Sequence, residues 1–145
     1  GAREVDMGEV RVKITLENDG DVFLCEQGKV SKADVRRIEA EAMVDTGAVM
    51  ILLPQDMVEA LGLKIIDRVI VTLANDQKEE MDVAGTLSLN VFNRRMKTDC
   101  LVGPPGCEPL LGQIVLERLD LIIDPLRRSI SARPESPYLP SLKLK

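Results

Sequence analysis

Asp45 stands at the end of an apolar segment and at the start of a sharp turn, in Val44-Asp45-Thr46-Gly47-Ala48. A carboxylate flanked by Ala42, Met43 and Val44 on one side and Val49, Met50 and Ile51 on the other is costly unless it is paired or functional. An ordinary turn aspartate, binding nearby backbone N–H groups, is the competing explanation, and Asp-x-Gly turns are common. A second element shifts the balance. Leu110-Leu111-Gly112 repeats the pattern of apolar residues running into a glycine, just ahead of a helical stretch.

The chemistry open to this chain is narrow, because its 145 residues include no histidine. That removes a Ser-His-Asp triad, a Cys-His pair and any histidine-ligated metal. Asp, Glu, Lys, Tyr and Cys remain for acid–base work. No metal or cofactor is implied: the Asx-rich run Asn18-Asp19-Gly20-Asp21 lacks the spaced oxygens and closing Glu of a calcium loop. The three cysteines Cys25, Cys100 and Cys107 form no CxxC pair. Their odd number suits free thiols in a reducing compartment, with the bridge Cys100–Cys107 the lesser alternative.

Composition sets further bounds. There are 19 basic and 24 acidic residues, a net charge of −5, and few aromatics. A nucleic-acid partner would call for a basic face and stacking rings, so none is expected. No apolar run has membrane-spanning length and no leader pattern opens the chain, so a cytoplasmic protein without a membrane contact is expected. Arg94-Arg95 and Arg127-Arg128 read as solvated turn charges.

The positioning elements read mostly as short strands. Val10, Val12, Ile14 and Leu16 alternate with polar residues, a half-buried strand over Glu9–Leu16. A turn at Asn18–Asp21 and a short strand Val22-Phe23-Leu24 follow, then a loop Gln27–Asp34. Arg36–Val44 is a strand, Val49–Leu53 a buried strand, and Pro54 opens a short helix to Leu61 closed by Gly62. Ile65–Leu73, interrupted at Asp67-Arg68, and Met81–Phe92 are strands joined by a turn at Asn75-Asp76. Met96–Val102 returns, Gly103-Pro104-Pro105-Gly106 is a rigid loop, and Gln113–Leu119 is a second helix. Leu121–Ile123 and Ser129–Ala132 are the last strands. Residues 1–6 are set aside as a processed or foreign end, 7–132 form one domain, and 133–145 an extended tail. Many short strands with Gly and Pro punctuation give an all-β sandwich or barrel.

On the strength of Asp45-Thr46-Gly47-Ala48 and Leu110-Leu111-Gly112 in this order, the chain resembles the retropepsin-like, single-lobe aspartic proteases. It is most similar within them to small bacterial members, because the Pro54–Leu61 helix ends in Leu61-Gly62-Leu63. The resemblance implies a closed acid-protease barrel with one or two short helices and an aspartic endopeptidase acting on peptide or protein. Asp45 would be the catalytic group, with Thr46, Gly47 and Ala48 shaping its loop. Gly112, after Leu110 and Leu111, would let the chain pass beneath that loop without a clashing Cβ. Leu73, Ala74, Asn75, Asp76 and Gln77 would form the flap over substrate. With one Asp-Thr-Gly per chain, the second carboxylate must come from a second copy, so the resemblance implies a homodimer. The strands at Val10–Leu16 and Ser129–Ala132 are candidates for its interface. Three departures from the retroviral pattern motivate the alternative of an inactive peptide-binding or dimerisation module. Val49 and Met50 occupy positions often acidic there. Gly112-Gln113-Ile114 replaces Gly-Arg-Asn. The flap tip has no glycine.

Overall fold

The computed structural model describes residues 9–134. The expected processed end at 1–6 and all but the first two residues of the expected tail lie outside the described residues.

The alternation at the start of the chain builds the first wall of a barrel. Strand β1 (Val10–Asn18) turns Val10, Val12, Ile14 and Leu16 inward, where all four are buried. It lies antiparallel to β2 (Arg37–Val44) along its whole length, from Val10 opposite Val44 to Glu17 opposite Arg37. Strands β3 (Leu52–Pro54), β4 (Lys64–Thr72), β5 (Lys78–Val91), β6 (Arg94–Gly103) and β7 (Leu110–Leu111) complete a sheet in the order β1-β2-β7-β3-β6-β5-β4. Pairing of Thr15–Asn18 with Asn90–Leu87 joins β5 back to β1, so six strands close on themselves with β4 outside the ring. The closed all-β barrel is therefore as expected, and its described residues carry three short α-helices where one or two were expected.

The long strand β5 explains how the barrel carries an arm. One edge of it meets β4 from Lys78 to Gly85 and β1 from Leu87 to Asn90. The β4–β5 hairpin thus leaves the barrel where β1 takes over that edge. The interruption expected at Asp67-Arg68 is a bulge between Ile65 and Asp67. Strands β8 (Leu121–Asp124) and β9 (Ser129–Ala132) form a separate two-stranded sheet, with β9 lying against β1.

The core is aliphatic. Leu53, Leu61, Leu87, Leu89, Leu111 and Leu119 have no exposed surface, and each such side chain contributes about 1.5–3 kcal/mol on burial. Both Phe23 and Phe92 lie outside it, exposed. Cys100 is buried, Cys25 and Cys107 are partly buried, and all three are free. Among the described residues no helix is long and apolar enough to cross a membrane.

Four expectations are corrected. Val22-Phe23-Leu24 is no strand but part of helix α1 (Asp19–Glu26). Asn18 caps it by accepting the Asp21 N–H at 3.0 Å, and Asp19 and Asp21 place negative charge at its positive end. The Gln27–Asp34 loop contains a 3-10 turn at Lys32–Asp34, closed by Ser31 and Asp34. Val49–Leu53 is not a continuous buried strand: Ile51 and Leu53 point inward, Val49 is 63% exposed, and only Leu52–Pro54 pairs. Arg94 is not a solvated turn charge. It is buried, and its guanidinium donates to the carbonyls of Leu119 (2.8 Å), Asp120 (3.0 Å) and Arg133. The Leu119 and Asp120 carbonyls sit just past the end of helix α3 (Gln113–Arg118) and the Arg133 carbonyl just past the last strand. The forked cation thus ties the ends of these two elements together, beside the Arg133 N–H that also donates to Asp120 O at 3.2 Å.

Candidate active site

Strand β2 ends at Val44, and Asp45 is the first residue beyond it. The parallel neighbour β7 fixes that end: Met43 faces Leu110 and Val44 faces Leu111. Met43 N–H donates to Pro109 O at 2.9 Å, and Asp45 N–H donates to Leu111 O at 2.9 Å. The Leu110-Leu111 pair is thereby wedged between β2 on one side and β3 on the other, where Leu52 faces Leu110. Asp45 and the Leu-Leu-Gly element, far apart in sequence, are brought together.

The loop then turns on its own aspartate. Gly47 N–H donates to Asp45 Oδ1 at 3.0 Å, and Ala48 N–H to Asp45 O at 3.1 Å. Asp45 is half-buried, while Thr46 and Gly47 are exposed. The enclosure suggested by the flanking apolar residues does not extend to the carboxylate, because Val49 turns outward. One carboxylate oxygen is thus oriented by the backbone and the group remains reachable from solvent.

Gly112 is the closest approach between the two elements. A Cβ built there would lie 2.6 Å from Met50 O and 2.7 Å from both the carbonyl carbon and oxygen of Val49. Its backbone is extended (φ −95°, ψ −174°), a conformation open to any residue. Glycine is required here for space. Immediately beyond it, the first N–H groups of α3 close the loop from below: Gln113 N–H donates to Ala48 O at 2.8 Å and Ile114 N–H to Val49 O at 3.1 Å.

Leu73, Ala74, Asn75, Asp76 and Gln77 form the tip of the β4–β5 hairpin. The tip is held by Leu73 N–H to Gln77 O (2.7 Å), Asp76 N–H to Leu73 O (2.9 Å) and Gln77 N–H to Asn75 Oδ1 (3.0 Å). Asp76 takes φ 66°, in the left-handed region that favours glycine and that Asp tolerates. Among the described hydrogen bonds none joins the tip to the Asp45 loop. Along the arm, Arg68 pairs with Glu80 (2.8 Å) and Asp82 (2.7 Å).

A cavity of about 480 Å³ opens between helix α2 (Gln55–Ala60), the base of the hairpin and Pro104, lined by Val58, Leu63, Ile65 and Asp82 among others. No residue of the Asp45 loop lines it. Among the described residues no group of His, Cys, Asp or Glu is clustered to hold a metal ion.

Two contacts near the site carry no local sequence signal. Asp56 of α2 accepts the Gly106 N–H at 2.8 Å, and Arg11 of β1 grips Glu108 through Nε (2.6 Å) and Nη2 (3.1 Å). Their partners are 50 and 97 residues apart, too far for any spacing rule.

No curated protein matches the chain. A family model described as gag-polyprotein putative aspartyl protease matches residues 31–118. The match takes in β2, the Asp-Thr-Gly loop, the hairpin, the Leu-Leu-Gly element and α3, which is more than half of the sequence. The chain belongs to this retropepsin-like family of aspartyl proteases.

Proposed function

We propose that the chain is an aspartic endopeptidase active as a homodimer, with a catalytic dyad made of Asp45 from each copy. The observation that carries this reading is the seating of Asp45: backbone held by Leu111 O, one carboxylate oxygen oriented by Gly47 N–H, and the group left open to solvent beside exposed Thr46. A single lobe supplies one such carboxylate and no enclosing wall around it.

The chemistry follows from two carboxylates about 3 Å apart, which cannot both ionise. One proton is shared and the pair titrates as a unit. The ionised member takes a proton from water, and the protonated member donates to the scissile carbonyl as the water oxygen attacks carbon. Collapse of the tetrahedral intermediate then releases the amine with its proton returned. Thr46 hydroxyls would bond across the two-fold axis, and the Leu73–Gln77 tip would cover the peptide. Strand β9 is the better interface strand, since among the described residues it pairs with β8 alone, whereas β1 is committed to the barrel.

Asp45→Asn tests the reading. It should remove cleavage of a peptide library at mildly acidic pH by at least about a thousandfold, while light scattering still reports a dimer. Retained cleavage in the variant, or a monomeric parent, defeats it. Val49 and Met50 in place of acidic residues favour one second reading, a dimeric peptide-binding module. Peptide binding without cleavage at any pH would select it.

A further inference from the structure

The segment that seats Asp45 is secured unequally at its two ends. Downstream of Leu111, the backbone itself ties α3 to the loop, through Gln113 N–H to Ala48 O and Ile114 N–H to Val49 O. Upstream, the segment is the end of the connection from Gly103 to Pro109, whose backbone turns through Cys107 N–H to Pro104 O (3.2 Å) and a left-handed Gly106 (φ 77°). Two side chains from other elements hold that connection. Asp56, in the first turn of α2, captures Gly106 N–H. Glu108 is gripped by Arg11 of β1, which also pairs with Glu9. The residue after Glu108 is Pro109, whose carbonyl accepts from Met43, and two residues further Leu111 accepts from Asp45.

We propose that Asp56 and Glu108 are positioning residues for Asp45, acting through the 106–111 segment to fix the register of β7 against the end of β2. Gly106 and Glu108 both lie within four residues ahead of Leu110, where the connection becomes β7. Freed at either, the connection can shift, and the carbonyls of Pro109 and Leu111 move relative to Met43 and Asp45. The consequence for catalysis rests on the peptidase reading above; the consequence for backbone register does not.

Amide hydrogen exchange by NMR on the full chain separates the two. Asp56→Ala and Glu108→Ala should each speed exchange of the Met43 and Asp45 amides about tenfold, as loss of one anchoring bond implies, with Leu87 and Leu89 amides of β5 unchanged. Asp56→Asn keeps an acceptor oxygen for Gly106 N–H and should restore parental exchange. In peptide cleavage the two alanine variants should lose about tenfold in kcat with KM within about twofold, again restored by Asp56→Asn. Parental exchange at Met43 and Asp45 in the double alanine variant overturns the inference, as does a uniform rise across the barrel. Faster exchange with unchanged kcat overturns its catalytic half. Should the parent cleave nothing, the exchange result still decides the register claim while the peptidase reading fails separately.

Discussion

The carbonyl oxygen of Met50 lies 2.6 Å from where a Cβ on Gly112 would be. The neighbour is backbone and cannot rotate away. At φ −95° alanine is otherwise welcome, and a Gly→Ala change would stabilise by about 0.4–1 kcal/mol through the unfolded chain. Overpacking of this kind costs about 1–3 kcal/mol and wins. Gly112→Ala should therefore lower the urea midpoint and displace the Val49–Met50 backbone. A variant as stable as the parent would show that the two segments are not in contact.

Arg94 gives a second prediction. Its guanidinium satisfies the carbonyls of Leu119, Asp120 and Arg133 from a buried position. Arg94→Met fills similar volume but removes the shared side-chain donor, leaving Asp120 O with the Arg133 N–H alone among the described hydrogen bonds, at a cost of about 1–3 kcal/mol. Arg94→Lys should recover only part, because one ammonium cannot fork as the guanidinium does. Full recovery by lysine in equilibrium unfolding would contradict the geometry.

Some of this was readable in the sequence and some was not, for physical reasons. Val10–Leu16 alternates because one face of β1 lines a barrel, and a period of two has no other interpretation. Leu87, Leu89 and Val91 were equally plain and are all buried. Asn18-Asp19-Gly20-Asp21 misled because turns and helix N-termini favour the same short polar side chains. Burial gave no help, since Phe23 and Leu24 of α1 are exposed. Val49 to Leu53 looked uniformly buried because hydrophobicity alone does not say which way Val49 points. Asp45 was legible only with Leu110-Leu111-Gly112; alone it was one more Asp-x-Gly turn. Arg94, Asp56 and Glu108 owe their roles to partners remote in the chain, and no spacing announces them.

Acid should weaken the fold at Asp21. Its carboxylate accepts Arg36 Nε (2.8 Å), Nη2 (3.0 Å) and the Arg36 backbone N–H (3.0 Å). The Arg36 side chain holds its pKa below the usual carboxylate range, against a smaller opposing effect of burial. A depressed folded pKa gives stability that is present above the unfolded value, about 3.9, and lost as pH falls through the folded value. Arg11 depresses Glu108 in the same sense. Asp21→Asn should be less stable than the parent at neutral pH, and the gap should close below about pH 4. Urea midpoints measured across that range check it, and a gap that stays constant would refute the linkage.

The cysteines should separate by burial. Cys100 on β6 has no exposed surface, and burial, aided by Asp99, pushes its thiol up to about 12 despite an opposing backbone hydrogen bond. Thiolate is the reactive species, so at about pH 8 this residue is both inaccessible and protonated. Cys107, partly buried behind Gly103, is also raised, first by burial and then by Asp56. Iodoacetamide on the native protein should therefore label Cys25 first, Cys107 more slowly, and Cys100 only when the barrel opens. Peptide mass spectrometry over a time course reads all three sites at once. Cys100 labelling should track the urea unfolding transition, since β6 sits in the closed ring between β3 and β5. Labelling of Cys100 at the rate of Cys25 in the absence of denaturant would mean that the barrel is not closed there.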